Sequence, residues 1–193
     1  MSLDQKLINF IQSDQKLYTA KEIIFYGGSF NPWHDGHTAC IKMAPQSSPL
    51  IIIPDNNPHK DLNQNKSLEV EVINNIIAHN NLNATVFLDF YQSSNKTPTV
   101  DWIKSLQDAF PEKKLSLLIG TDSLMNILSW KESTTLLTTL TSLYVVSRID
   151  ENYNIQAQVE KLKSKASELN LVFLGHHDFE DVSSSEIRSR KQD

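Results

Sequence analysis

Six short runs of apolar and β-branched residues recur along the chain, at 23–26, 50–54, 85–90, 115–120, 143–147 and 171–175. Between them the apolar positions change to helical spacing, as in Leu68, Val72, Ile73, Ile76 and Ile77, or Val159, Leu162, Ala166 and Leu169. Strand runs that alternate with helical ones predict a parallel sheet covered on both faces. With right-handed crossovers the fold class is α/β, a doubly wound, Rossmann-like sheet. The segments 56–66 and 92–98 are polar, Asn-rich and broken by proline, so they read as loops. Residues 2–13 place Leu3, Leu7, Ile8 and Ile11 on one face of a helix, which makes residues 1–20 a helical extension. Such a helix either packs on the body of the protein, the simpler expectation, or forms a contact in a homo-oligomer.

Composition narrows the class. A chain of 193 residues fits one ordinary domain, here 1–193, and its 39% hydrophobic and 21% charged content is that of a globular protein. A net charge of −5 argues against a nucleic-acid surface, while local positive charge can still hold a small phosphorylated ligand. No apolar run approaches the roughly 20 residues that span a bilayer, so no membrane partner is expected. The N-terminus lacks the compact apolar core of a signal peptide. The single cysteine, Cys40, cannot form an internal disulfide and suits a reducing, cytoplasmic setting.

In an open α/β sheet, ligands sit beyond the carboxyl ends of the strands, so the segments that follow the runs carry the candidate chemistry. After the first comes Gly27-Gly28-Ser29-Phe30-Asn31-Pro32-Trp33-His34-Asp35-Gly36-His37. The paired glycines permit a tight turn and a close approach to a ligand. His34 and His37 are three apart and share a face at the start of a helix, where N–H groups and the helix dipole favour anions. Taken alone, such a pair could also cap, pack or, less easily, hold a metal. After the second run, Pro58-His59-Lys60 offers one lysine in a polar loop. After the fourth, Gly120-Thr121-Asp122 opens a helix, with Trp130 beyond it. Asp122 suits ribose hydroxyls, or Asp122 or Thr121 is simply an N-cap and Trp130 core. Near the C-terminus, Ser183-Ser184-Ser185 starts another helix and Arg188 follows one turn later, where a guanidinium can pair with phosphate oxygens. His176-His177-Asp178 reads as solvated loop and Cys40 as inert core.

The stretch GGSFNPWHDGH resembles the GG(T/S)F(D/N)PxHxGH signature of the nicotinate mononucleotide adenylyltransferases, within the HxGH nucleotidyltransferase superfamily. The other segments resemble the family's PPHK, IxGxD-to-tryptophan and ISSTxIR motifs in order, so the likeness spans about residues 22–190. It implies transfer of AMP from ATP to nicotinate mononucleotide, with release of pyrophosphate. His34, His37, Lys60 and Arg188 would carry the catalysis. Gly27, Gly28, Ser29, Phe30, Gly120, Asp122, Ser184 and Ser185 would bind ATP, and Thr99 and Trp130 the mononucleotide. Mg²⁺ would enter with ATP, held by phosphates and water without side-chain ligands. The chain departs from the family where SYTxxTL becomes Thr97-Pro98-Thr99-Val100-Asp101-Trp102-Ile103, and where an arginine-proline-glycine turn is reduced to Arg148-Ile149-Asp150. Those departures leave two alternatives: the same chemistry on nicotinamide mononucleotide or another phosphorylated acceptor, and a nucleotide-binding regulator without catalysis.

Overall fold

The computed structural model describes residues 1–54, 70–92, 97–147, 154–182, 184 and 187. Six parallel strands form one sheet in the order β3-β2-β1-β4-β5-β6. They are β1 (Glu22–Gly28), β2 (Leu50–Pro54), β3 (Ala84–Val86), β4 (Lys114–Gly120), β5 (Ser142–Val146) and β6 (Asn170–Gly175). β1 lies between β2 and β4, with Ile24 opposite Leu50 and Glu22 opposite Lys114.

Successive strand residues point to opposite faces, and both faces are apolar. Ile23, Phe25, Leu117, Ile119, Leu143 and Val145 belong to one core, together with Ile103 and Leu106 of α6 (Thr99–Ala109), Leu136 of α8 (Ser133–Thr139) and Leu162 of α9 (Ile155–Lys165). Ile24, Tyr26, Ile52, Leu118 and Tyr144 belong to the other, with Ile41 of α3 (Asp35–Met43) and Ile73 of α4 (Val70–His79). Helices on both faces are what a doubly wound sheet requires.

Near the amino ends of the inner strands, Glu22 accepts hydrogen bonds from the hydroxyls of Ser48 (2.9 Å), Ser116 (2.7 Å) and Tyr144 (3.2 Å). Burial first, and then the Glu22 charge, push the Tyr144 phenol above its ordinary pKa.

The run at 85–90 departs from its expected strand. β3 ends at Val86, and α5 (Asp89–Gln92) follows. Phe87 and Phe90, 3% and 1% exposed, pack edge to face with ring centroids 5.5 Å apart. A short apolar run satisfies strand and helix alike.

The N-terminal extension folds onto the body. Ser2 caps α1 (Leu3–Ser13), its hydroxyl accepting from the Gln5 N–H, and Leu7 and Ile11 are fully buried in the core. Asp14 caps α2 (Gln15–Thr19), accepting from the N–H groups of Lys16 and Leu17. The Lys113 ammonium donates to the carbonyls of Leu17, Tyr18 and Ala20, which ties the end of α2 to the sheet. No helix among the described residues is long and apolar enough to cross a membrane.

Candidate active site

β1 connects to β2 on one side and β4 to β5 on the other, so the chain diverges between the carboxyl ends of β1 and β4 and leaves a crevice there. That crevice is a cleft of about 410 Å³. Gly27 and Gly28 end β1 at its floor. A Cβ at Gly27 would meet nothing nearer than the Ile53 carbonyl at 4.0 Å, whereas one at Gly28 would touch the Phe30 ring at 3.0 Å. Gly27 therefore keeps its backbone open to a ligand, and Gly28 makes room for Phe30. Phe30 itself takes a positive φ of 43°, which folds the chain sharply back towards α3.

His34 is the N-cap of α3 and is 8% exposed; His37 is the third residue of the helix. Their rings stack with centroids 3.7 Å apart and 29° between planes. The His37 ring is also packed by Phe30 (5.0 Å, edge-on) and Trp33 (5.1 Å), and the Trp33 N–H donates to the Thr38 hydroxyl at 2.9 Å. His37 Nδ1 accepts from the His34 backbone N–H at 3.3 Å, so in the neutral ring Nε2 is the N–H donor. Gly36 permits the arrangement: a Cβ there would lie 3.0 Å from the His34 ring and 3.1 Å from the Phe179 carbonyl.

The C-terminal part of the chain closes the same cleft. The Ser184 hydroxyl, 8% exposed as a residue, donates to the Pro32 carbonyl at 2.9 Å, across 152 residues of sequence. From the other side come Gly120, Asp122, Thr99 and Trp130, all of which line the cleft, as do Ser29 and Phe30. Gly120 is the N-cap of α7 (Thr121–Asn126), so neither Asp122 nor Thr121 occupies the capping position. Thr121 is buried, and Asp122 stands in the first turn facing the cleft. Trp130 is half-buried, with one part on the core and one part on the cleft. Lys60, Ser185 and Arg188 lie outside the described residues. Among the described residues the cleft is lined by no lysine or arginine, and its imidazoles are His34, His37 and His177.

His177 and Cys40 depart from the sequence reading. His176 and Asp178 are exposed, as a solvated loop requires, but His177 turns into the cleft and is half-buried. Its Nε2 stands 4.0 Å from Cys40 Sγ, its Nδ1 accepts from the Phe179 N–H, and its own backbone N–H donates to Glu180 Oε1 at 3.0 Å. Glu180, 6% exposed, also bonds His176 Nδ1 at 2.7 Å and so braces the turn. Cys40 is half-buried, packed against the second core on one side and lining the cleft on the other. Trp102 lines the cleft as well. The position of His177 directly after β6 was the available signal for it.

A crevice at the carboxyl ends of diverging strands, floored by glycine and faced by stacked imidazoles at a helix start, is the site of a nucleotide-handling protein. Residues 25–190 match the model of the cytidylyltransferase-like family, and the chain belongs to that family. It is similar to proteins named probable nicotinate-nucleotide adenylyltransferase. The one from Fusobacterium nucleatum is 29% identical over 88% of this chain and 86% of its own length. That from Leptospira interrogans is 27% identical over 71% and 72%. Among solved structures, the Plasmodium falciparum nicotinic acid mononucleotide adenylyltransferase complexed with APC has the same fold, with a TM-score of 0.63 and 22% identity over 88% of this chain and 83% of that one. Its complex with NaAD gives the same TM-score at 23% identity over the same shares.

Proposed function

We propose that the protein transfers AMP from ATP to nicotinate mononucleotide, forming the deamido-NAD dinucleotide and pyrophosphate. The observation that carries this reading is the convergence of His34, His37 and Ser184, from opposite ends of the chain, on the cleft that Asp122 and Trp130 line. The named relatives support the same chemistry.

The acceptor's phosphate is largely a dianion at neutral pH, because its second pKa is about 6. It attacks the α-phosphorus in line. A bond forms between an acceptor phosphate oxygen and that phosphorus, and the bond to the α,β-bridging oxygen breaks as pyrophosphate leaves. No general base is needed; positioning and charge neutralisation remain. His37 Nε2–H donates to an α-phosphate oxygen as charge builds there, and His34 holds the β- or γ-phosphate. Lys60 and Arg188 neutralise the leaving group. Asp122 accepts from ribose hydroxyls, Trp130 stacks on the pyridine ring, and Thr99 faces the acceptor.

Asp122 is the only carboxylate that lines the cleft among the described residues. Such a donor set fits Mg²⁺ carried on phosphates and water, which supplies charge neutralisation when bound.

The test is incubation with ATP and Mg²⁺ plus nicotinate mononucleotide or its amide. The acid acceptor is expected to give a dinucleotide of the matching mass with stoichiometric pyrophosphate. ATP binding with no product from any acceptor would leave the reading without support.

A further inference from the structure

Helix α3 begins between two residues that bond to each other. Counted from the His34 N-cap, Trp33 is the residue before the cap and Thr38 the fourth residue of the helix. Apolar side chains at those two positions often pack together and fix the angle at which the chain enters a helix. Here the link is polar: the Trp33 indole N–H donates to the Thr38 hydroxyl at 2.9 Å, and both residues are 9% exposed. An indole N–H can only donate, and a buried one finds an acceptor, so this bond fixes the plane of the ring as well as its contact. That ring packs on Phe30 and on His37, each at 5.1 Å between centroids. The His34 backbone N–H that His37 Nδ1 accepts lies between the two ends of the link. The signature that this chain resembles leaves the Trp33 position open and ends before Thr38, so the link belongs to this chain and not to the motif.

We infer that Trp33 is a positioning residue for His37, and that its bond to Thr38 sets the direction of the His37 Nε2–H. The inference rests on the adenylyl-transfer reading above and deepens it. The bond from the His34 N–H to His37 Nδ1 is 3.3 Å long, beyond the usual range, so a small change in the entry angle of the chain breaks it. The ring then loses a bond that holds its proton on Nε2, and the two neutral tautomers come closer in energy. A turned indole also changes the wall against which His37 packs. His37 contributes most as charge builds on the α-phosphate, so misdirecting it lowers kcat and leaves ground-state binding of either substrate nearly unchanged. Trp33 is not among the described residues that line the cleft, and it acts through His37.

Thr38→Val keeps the shape of the side chain and removes the acceptor, whereas Thr38→Ser keeps a hydroxyl. Trp33→Phe removes the donor and keeps an aromatic ring. NMR of the ¹⁵N-labelled protein without substrate reads the ring nitrogens of His37, and kcat and KM are measured for ATP and nicotinate mononucleotide. A thermal melt sets the working temperature below the transition of every variant. In the wild type the ring nitrogens report the Nε2–H tautomer. Thr38→Val and Trp33→Phe are expected to move both resonances towards a tautomer mixture. In both variants kcat falls about 10-fold or more, since a misplacement of about 1 Å can cost about 100-fold. Each KM moves less than about 3-fold, as the loss of an interaction made in the transition state requires. Thr38→Ser returns the wild-type resonances and kcat. His37 resonances that match wild type in Thr38→Val overturn the inference, whatever the activity does, and so does a loss of kcat that Thr38→Ser shares in full. Should Thr38→Val fail to fold, Trp33→Phe carries the same two readouts. Failure of the wild type to form dinucleotide defeats the underlying reading instead, and the tautomer shift still decides what Trp33 does to His37.

Discussion

His37 donates from Nε2 because its other ring nitrogen is occupied by a backbone N–H, and its ring is wedged between Phe30, Trp33 and His34. A donor fixed in this way costs no reorganisation as charge develops, which is the condition for strong transition-state stabilisation. His37→Ala is therefore expected to lower kcat at least about 100-fold while circular dichroism shows the native fold; normal turnover would remove His37 from the mechanism. Gly36 is tested by adding one methyl group. Gly36→Ala pushes against a backbone carbonyl as well as the His34 ring, and overpacking of that kind costs about 1–3 kcal/mol. A chemical melt should read that loss, and the displaced His34 should depress kcat along with it. Both histidines and the glycine were legible in the sequence, because a contiguous motif at the end of a strand carries its own geometry. His177 was legible only through its place just past the sixth strand run. It earns its place by meeting Cys40 across 137 residues, through a turn braced by the buried Glu180, and residue spacing carries no trace of such a contact.

Among the elements, the extension and the inner strands make separate claims on stability. Ile11 is fully buried among core residues, so Ile11→Ala should cost about 2–5 kcal/mol. The accompanying fall in Tm should not depend on protein concentration, whereas a helix that served mainly as an oligomer contact would show such dependence. On β5, Tyr144 has a raised pKa in the fold, so above the ordinary phenol value of about 10 the folded state holds a proton that the unfolded chain has released. Stability from this group is thus complete below that value and is lost as pH rises towards the folded pKa. Tyr144→Phe should flatten the decline of Tm above about pH 10, and an unchanged alkaline decline would contradict the assignment. The sequence marked five of the six strands to within a residue or two, since β-branched runs flanked by helical periods admit few other readings. It missed the turn at Phe87, where a strand and one helical turn bury the same aromatic rings.

For the whole molecule, the account depends on one junction. The Gly27–Gly28 turn and the start of α3 come from the beginning of the chain, Ser184 comes from its end, and they meet where the sheet order reverses. The doubly wound topology was legible because strand and helix periods alternate, but the junction was implied only by the family resemblance. Among the described residues its physical basis includes the hydrogen bond from Ser184 to Pro32, the meeting of His177 with Cys40 and the close approach of the Phe179 carbonyl to Gly36. The most direct measurement is an NMR titration of the uniformly ¹⁵N-labelled protein with a non-hydrolysable ATP analogue and Mg²⁺. The account predicts that the amides of Gly27 and Gly28, the His37 side chain and the Ser184 amide shift together along one saturation curve. Shifts confined to the first segment, with Ser184 unmoved or following a different affinity, would contradict it.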